Sequence, residues 1–447
     1  MPENRIVFIM PMLFGHLNPT ISFANVFIKQ GHSVHYAGSK QLIRFTLKHN
    51  FKLFELQTLP VNKYTARPKD ENAFKKWVST IQNNELLNIY IERKADLKRL
   101  VDEINPNLVF LDEFCFLDFI ILYSLNPSLK ICILQTKMGM YYSKNAPPSN
   151  YYAFPGSMSS YLWNWVLAGR KLKRFYKKCL YIGKNFESRL EKIMKMEHIP
   201  SKYKINYKKI FSLSFTHVPE ILFYASEFDF PNVAPLPWQI NLSPAVALER
   251  REIITEELRQ FLTLAKTQEQ NRIIYCSLGT VSDRHISDED VKANFIDKVL
   301  KVAADNQDFF FVISFGNDLQ KEKYVNLPGK NILVLHFAPQ IYVLKYADVF
   351  LTHGGNNSIY ESIYSKTPML IFPLNNDWDQ NGCAARAVYH GIGLKANLGD
   401  SAQSISTQIK TLLATDSYKN AVSALADVVM KKYTDEYMIN KLNESGI

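Results

Sequence analysis

A chain of 447 residues, of which 47% are hydrophobic, is too long for one compact core and predicts a globular protein of two domains. The net charge of +11 favours an anionic partner. Because no zinc-finger, RNP or helix-turn-helix signature is present, nucleotide phosphates or an acidic membrane surface are better candidates than nucleic acid. The five cysteines form no C-x-x-C pair, which argues against a zinc site or disulfide framework and favours a reducing, cytoplasmic location.

Strand-like and helix-like segments alternate from the start of the chain. The strand-like segments of the first half are residues 5–10, 32–38, 107–112 and 130–136. Between the first two, residues 19–31 have the apolar spacing of a helix, which we expect to end at Gly31. This alternation predicts a doubly wound parallel sheet.

Two segments of the first half bear on a membrane role. The most apolar run, residues 108–125, contains three acidic side chains, which argues against a transmembrane helix. Residues 159–178 combine an apolar half with a basic half, whose cations are Lys171, Lys173, Arg174, Lys177 and Lys178. Two interpretations stay open: a lid or membrane-surface contact near the substrate entrance, or an amphipathic helix with its basic face in solvent, which is the commoner case.

The proline-rich segment 229–245 predicts an interdomain linker, after which the alternation restarts. The strand-like segments of the second half are residues 272–280, 309–316, 331–337, 348–355 and 368–373. We therefore predict two doubly wound α/β domains. Their expected bounds are 1–230 for the N-terminal domain, 231–247 for the linker, 248–425 for the second domain and 426–447 for a C-terminal helix.

Two glycine turns follow predicted strands of the second domain. One strand ends in His353 and two glycines, and a helix begins near Asn356. A glycine turn lets a ligand approach the backbone closely, and a helix N-terminus offers free N–H groups, so this geometry favours phosphate. The residues expected to meet the phosphates are His353, Gly355, Asn357 and Ser358, together with Ser277, Gly279 and Thr280 from the other turn.

The block of residues 337–393, taken with "GHLNP" near the N-terminus, resembles UDP-dependent inverting glycosyltransferases, the family of plant secondary-metabolite, bacterial macrolide and carotenoid glucosyltransferases. The segments "CAARAVYHGIG" and "VPEILFYASEFDFP" are most similar to bacterial zeaxanthin glucosyltransferases. The resemblance covers nearly the whole chain. It implies the GT-B fold, in which two Rossmann-like domains face each other across a deep cleft and a C-terminal helix crosses back to the first domain.

The resemblance also implies that the second domain binds a UDP-hexose donor. The implied nucleotide contacts are Phe337 on the uracil ring, Gln340 at the uracil edge, Glu361 on the ribose, and His353, Asn357 and Ser358 on the diphosphate. Asp379 and Gln380 would contact the sugar hydroxyls, and an acid followed by glutamine is usual for glucose donors. Because "PLNNDWDQ" is two residues longer than the usual segment, Asp377 is the alternative acid.

His16 follows the first predicted strand, and Asp112 ends a later one. Ligands bind at the carboxyl ends of parallel strands, and a neutral imidazole is suited to remove a proton from a hydroxyl group near neutral pH. An aspartate beside the ring would orient it and stabilise the imidazolium. The resemblance implies the same pair, and with it displacement at the anomeric carbon with inversion. No metal or other cofactor is expected, since the UDP-sugar is a co-substrate.

The acceptor is expected to be a lipophilic small molecule, such as a carotenoid, polyketide, terpenoid or phenolic compound. The aromatic side chains assigned to it are Phe14, Trp77, Phe114 and Tyr141, although core packing would explain them equally well. Two other functions remain as alternatives. One is a UDP-sugar epimerase, which would not need the pair of His16 and Asp112, and the other is a non-catalytic helper subunit, which would not retain it.

Overall fold

The computed structural model describes residues 4–60, 72–82, 85–242, 246–248, 250–279, 289–314, 329–374 and 376–447. These residues form a seven-stranded and a six-stranded sheet, and every described pairing of neighbouring strands is parallel. Helices lie between most successive strands of the described ranges. The prediction of two doubly wound α/β domains is therefore confirmed.

The first sheet has the order β3-β2-β1-β4-β5-β6-β7. Its strands are β1 (Arg5–Ile9), β2 (Ser33–Gly38), β3 (Lys52–Glu55), β4 (Leu108–Asp112), β5 (Lys130–Gln135), β6 (Glu220–Leu222) and β7 (Gln239–Asn241). The helices of this part are α1 (Phe14–Lys29), α2 (Ile43–His49), α3 (Ala73–Gln82), α4 (Glu85–Ile104), α5 (Asp118–Leu125), α6 (Met158–Leu180) and α7 (Phe186–Met196).

The second sheet has the order β10-β9-β8-β11-β12-β13. Its strands are β8 (Arg272–Ser277), β9 (Phe309–Ser314), β10 (Ile332–Leu335), β11 (Val349–Thr352), β12 (Met369–Ile371) and β13 (Gly393–Lys395). The helices are α8 (Glu256–Ala265), α9 (Glu289–Asp305), α10 (Gln340–Leu344), α11 (Asn356–Tyr364), α12 (Gln380–Tyr389), α13 (Ala402–Ala414), α14 (Asp416–Lys432) and α15 (Asp435–Glu444).

Helices cover both faces of each sheet, which explains why the central strands have apolar residues on both faces. In β1, Ile6 and Phe8 pack into one buried cluster, while Val7 and Ile9 pack into another on the opposite face. The strand thus contributes to two cores at once. The same alternation occurs in β8 of the second sheet.

The strand order places the predicted sites. In the first sheet β1 lies beside β4, and in the second β8 lies beside β11. At each of these positions the chain changes the direction in which it adds strands. Ligands of doubly wound sheets bind in the crevice at the carboxyl ends of such strands. His16 and Asp112 lie at this point of the first sheet, and both glycine turns lie at this point of the second.

Three boundaries differ from the sequence prediction. Helix α1 begins at Phe14 rather than at Pro19, so His16 lies in its first turn. The predicted linker includes β7, which pairs with β6 as the edge strand of the first sheet. The predicted C-terminal helix is two helices: α14 begins at Asp416, ahead of the predicted bound, and α15 follows it.

The two domains pack tightly against each other. The side-chain amide of Asn356 donates to the Phe223 carbonyl oxygen at 3.1 Å. Helix α15 contributes the buried side chains of Met438 and Leu442 to the core of the first domain. Among the described residues, no helix has the length and apolar character that a membrane span needs.

Candidate active site

The imidazole of His16 is held by Asp112 at the end of the adjacent strand. His16 Nδ1 lies 2.7 Å from Asp112 Oδ2, and the aspartate is fully buried while 12% of the His16 side chain is exposed. The other carboxylate oxygen accepts the Phe114 backbone N–H at 2.8 Å. A carboxylate accepts hydrogen bonds, so we assign the ring proton to Nδ1. This assignment leaves Nε2 with a free lone pair, which is the tautomer a general base needs.

A second carboxylate lies beside this pair, and the sequence analysis did not identify it. Glu113 is fully buried, forms an ion pair with Lys137, and accepts the Thr136 hydroxyl at 3.0 Å. Burial alone would raise the pKa of Glu113, but Lys137, and after it His16 and Lys209, lower it to about 2. A fixed negative charge thus faces the ring of His16.

An aromatic pocket adjoins the imidazole. The His16 ring stacks on Phe114 with the ring centroids 4.8 Å apart. Phe114 also lines a pocket with a cavity volume of about 220 Å³, whose other aromatic walls are Phe116, Phe186, Phe211 and Trp378. Trp378 belongs to the second domain, between β12 and α12, and lies edge-on to Phe114 with the ring centroids 6.1 Å apart. Both domains therefore build this pocket.

The four aromatic residues predicted for the acceptor have different surroundings. Phe114 lines the pocket, and Phe14 is 45% exposed at the start of α1. Trp77 and Tyr141 do not line it. The Trp77 indole N–H donates to the Leu180 carbonyl oxygen at 2.8 Å, and the Tyr141 hydroxyl bonds Glu220 in the interior. Both side chains thus make contacts within the protein. The sequence alone could not show whether these aromatic residues contact the protein interior or a ligand.

The two glycine turns of the second domain enclose the imidazole of His353. Gly279 has a φ of +84°, and a Cβ built on it would lie 2.7 Å from His353 Cε1. A Cβ on Gly355 would lie 2.4 Å from His353 Nε2. Only glycine therefore allows the ring to sit between the two turns, at the N-terminus of α11. Ser277, at the end of β8, is buried beside this turn, whereas Thr280 lies outside the described residues.

One hydrogen bond links the helix of His16 to the predicted phosphate site. The side-chain amide of Asn357, in the first turn of α11, donates to the Gly15 carbonyl oxygen. Within α1 that oxygen would normally accept the N–H four residues on, but residue 19 is a proline and has none. Pro19 thus leaves the Gly15 carbonyl available to Asn357. The base and the N-terminus of α11 face the same cleft.

Two of the predicted uracil and ribose contacts, Gln340 and Glu361, bond each other. Phe337 is 53% exposed, as a stacking surface must be. Gln340 donates its side-chain amide to Glu361 at 2.6 Å and to the Ser358 hydroxyl at 3.3 Å. Glu361 also forms an ion pair with Arg250 at 2.5 Å. The sequence analysis did not identify Arg250, which follows the linker and reaches Glu361 only through the fold.

The residues predicted to contact the sugar lie mainly inside the protein. Asp379 is buried, accepts the Met138 backbone N–H at 3.1 Å, and has its pKa raised by burial. The Gln380 side-chain oxygen accepts the Leu374 N–H at 2.7 Å. Asp377, the alternative acid, is exposed on the same loop. The sugar contact of these residues stays a prediction.

A sequence model described as "UDP-glucoronosyl and UDP-glucosyl transferase" matches residues 6–434 of the chain. The UDP-glycosyltransferase UGT4 of Dactylopius coccus is 22% identical over 93% of this chain and 80% of its own length. The zeaxanthin glucosyltransferase of Pantoea ananas is 33% identical over a shorter segment, 22% of each chain.

Solved glycosyltransferase structures share the whole fold. The glycotransferase of kitacinnamycin superposes with a TM-score of 0.70 at 16% identity, and the match covers 100% of both chains. Glycosyltransferase VinC, solved in complex with dTDP, superposes with a TM-score of 0.64 at 16% identity over 99% of both chains. These similarities bear on the fold alone. They confirm the predicted GT-B arrangement.

Proposed function

The chain belongs to the UDP-glucoronosyl and UDP-glucosyl transferase family, and from this premise we propose that it moves a hexose from UDP to a hydroxyl group of a lipophilic small molecule, with inversion. That it is a glycosyltransferase acting on a small-molecule acceptor follows from the family. Glucose is the first candidate sugar, because an acid precedes glutamine in the segment assigned to the sugar.

In the proposed reaction, His16 Nε2 removes the proton of the acceptor hydroxyl. The oxygen attacks the anomeric carbon as the bond from that carbon to the β-phosphate oxygen breaks, and UDP leaves with the electron pair. Asp112 keeps the ring proton on Nδ1, and Glu113 adds a second negative charge beside the imidazolium. The backbone N–H groups at the start of α11 would stabilise the negative charge that develops on the diphosphate.

The hydrogen bond from Asn357 to Gly15 is the observation that best supports this proposal. It joins the residue before the base to the first turn of the helix assigned to the diphosphate. A direct displacement needs the acceptor oxygen and the leaving group on opposite sides of one carbon atom, within a single cleft. The pair of His16 and Asp112 on one side and the glycine turns on the other meet this requirement.

The decisive variant is His16→Ala, assayed with UDP-glucose and a panel of lipophilic alcohols and phenols under mass detection. We expect transfer to be lost while the Kd for UDP is unchanged, because His16 lies on the opposite side of the cleft from the predicted nucleotide contacts. His198→Asn is the matched control, since it removes an exposed imidazole at the end of α7, where φ is +53° and asparagine is tolerated. Unchanged turnover of His16→Ala would overturn the assignment.

The epimerase alternative is separated by omitting the acceptor. Incubation of the protein with UDP-glucose alone should yield no second UDP-hexose. A new sugar nucleotide that forms in the His16→Ala variant as fast as in the wild type would favour an epimerase, since that reaction does not need the base assigned here.

We also propose that the outward face of α6 contacts an anionic membrane surface. This helix exposes Tyr161, Trp165, Leu172 and Phe175 to between 62% and 69%, on one stripe. Lys171 and Lys178 lie outside the pocket-lining face of the helix, which contains no acid, so charge complementarity favours anionic phospholipid. Sedimentation with phosphatidylglycerol vesicles should carry down the wild-type protein but not Trp165→Ser/Phe175→Ser. Equal sedimentation of both, or binding to phosphatidylcholine vesicles alone, would contradict the proposal.

A further inference from the structure

Helix α6 turns a second, opposite face towards the aromatic pocket. Its pocket-lining cations are Arg170, Lys173, Arg174 and Lys177, at positions i, i+3, i+4 and i+7. Residues with this spacing share one face of a helix. Lys171 and Lys178 fall outside that face and do not line the pocket. Four positive charges of a single helix therefore project into the space beside Phe114.

The two arginines of this face lack the partners that buried cations normally have. Arg170 donates one N–H to the Lys209 carbonyl oxygen at 3.2 Å, but its Nε is buried without a hydrogen-bond partner in the described structure. Arg174 lies over the Tyr207 ring, 4.1 Å from its centroid. Within the described ranges, neither arginine forms an ion pair with a carboxylate of this chain. The buried Nε of Arg170 is an unused donor, which is costly unless a ligand completes it.

The acids of the pocket do not balance these charges. Glu113 and Glu187 are the carboxylates among the lining residues, and Glu113 is already paired with Lys137. Glu187 accepts the Asn185 side-chain amide at 2.7 Å. Arg170, Lys173 and Arg174 thus face a single remaining acid, Glu187, across a pocket with aromatic walls. Low-dielectric walls strengthen the attraction of such a site for an anion.

Three kinds of group line or adjoin the pocket. Phe114 touches the base at one end, since its ring stacks on His16. Phe211 and Trp378, which also line the pocket, stack with ring centroids 6.3 Å apart. The cationic face of α6 closes the other side. A matching substrate would place a hydroxyl group at His16, an apolar ring against the aromatic side chains and an anion at the cations of α6.

We propose that the acceptor is a hydroxylated ring compound that carries a carboxylate, and that Arg170 and Arg174 bind this carboxylate while the acceptor hydroxyl faces His16. The proposal rests on the proposed transferase function and deepens it. Arginine presents paired N–H donors that match a carboxylate, whereas lysine supplies a point charge. Lys173 and Lys177 would therefore add attraction rather than orientation.

The test compares hydroxyaryl carboxylic acids with their methyl esters, which keep the ring and the hydroxyl group but lose the charge. We expect kcat/KM of the wild type to favour the acid by about tenfold or more, the factor that hydrogen bonds to a charged group supply. In Arg170→Gln/Arg174→Gln the ratio of the kcat/KM of the acid to that of the ester should fall to about one. Arg170→Lys/Arg174→Lys keeps the positive charges and should therefore retain part of the preference for the acid.

Lys171→Gln/Lys178→Gln is the matched control, because it removes the same charge from the same helix outside the pocket. Equal or better turnover of the esters by the wild type would overturn the proposal, as would a glutamine double variant that loses both substrates equally. Direct binding of the acid and the ester, followed by calorimetry in the His16→Ala variant, separates the two claims. If the acid binds more tightly than the ester but the wild type transfers no sugar, the transferase function is contradicted, whereas binding of an anionic ring compound in this pocket is supported.

Discussion

Asp112→Asn tests the proposed base more sharply than removal of the histidine does. In the wild type one carboxylate oxygen accepts the Phe114 N–H at 2.8 Å and the other accepts the His16 ring at 2.7 Å. Asparagine has one oxygen, and the backbone N–H of Phe114 requires an acceptor. The amide oxygen should therefore turn towards Phe114, so that the NH₂ group faces His16 Nδ1. This reverses the tautomer and puts the ring proton on Nε2, where the base needs a lone pair.

The expected loss is most of the general-base contribution, about 10²–10⁴-fold in kcat, or about 3–5 kcal/mol in barrier height. Asp112→Ala should be no worse than Asp112→Asn, because alanine leaves the tautomer free. The assay is steady-state transfer from UDP-glucose with the Kd for UDP measured in parallel. Asp102→Asn, which alters an exposed ion pair with Lys98, is the control. If Asp112→Asn keeps more than a tenth of wild-type kcat, or exceeds Asp112→Ala, the reasoning is refuted.

Three further predictions concern the surroundings of this pair. Pro19→Ala restores an N–H that competes with Asn357 for the Gly15 carbonyl oxygen, so kcat should fall about two- to tenfold while the Kd for UDP is unchanged. In a protein that already carries Asn357→Ala, Pro19→Ala should have no further effect on kcat. Additive losses in the double variant would contradict the coupling. Gly355→Ala places a Cβ 2.4 Å from His353 Nε2 and should weaken UDP binding, measured by calorimetry. The control is Gly169→Ala, in α6 with open space around it, which should leave UDP binding unchanged. Equal UDP affinity of the two variants would show that the close approach of the glycine to His353 is unimportant. The pKa of Glu113 is lowered from 4.5 to about 2, so this group stabilises the fold fully above its unfolded pKa and loses that contribution as the pH falls towards 2. Between about pH 4.5 and pH 2, the free energy of unfolding should therefore fall less in Glu113→Gln than in the wild type, as measured by urea titrations at several pH values. An equal fall in both proteins would exclude a stabilising role of the ionised Glu113.

The sequence predicted the architecture because the central strands are buried on both faces and read as apolar runs between helical patterns. It missed the true start of α1, since Pro19 resembles the first residue of a helix and here lies inside one. It missed β7 because this edge strand has three residues and lies among prolines. Both errors come from local signals that tertiary packing overrides.

Some residues of the candidate site could be predicted from the sequence and others could not. His16 and Asp112 could be predicted because each follows or ends a strand, and parallel strands bring such positions together. Trp378, Arg250 and Lys137 could not, because each reaches its partner from a different part of the fold. Glu113 was overlooked although it follows Asp112 directly, since side chains of successive residues usually point in different directions. Its buried pairing with Lys137 depends on β5 lying beside β4.

The anomeric configuration of the product tests the central claim most directly. UDP-glucose carries its sugar in the α configuration, and one displacement by an oxygen that His16 deprotonates must produce the β-glycoside. The coupling constant of the anomeric proton, followed by NMR from the first minutes of transfer, distinguishes the two outcomes. The account predicts a β-linked product as the first species to form. An α-linked product would contradict it, because retention requires a different mechanism from the one assigned to His16 and Asp112.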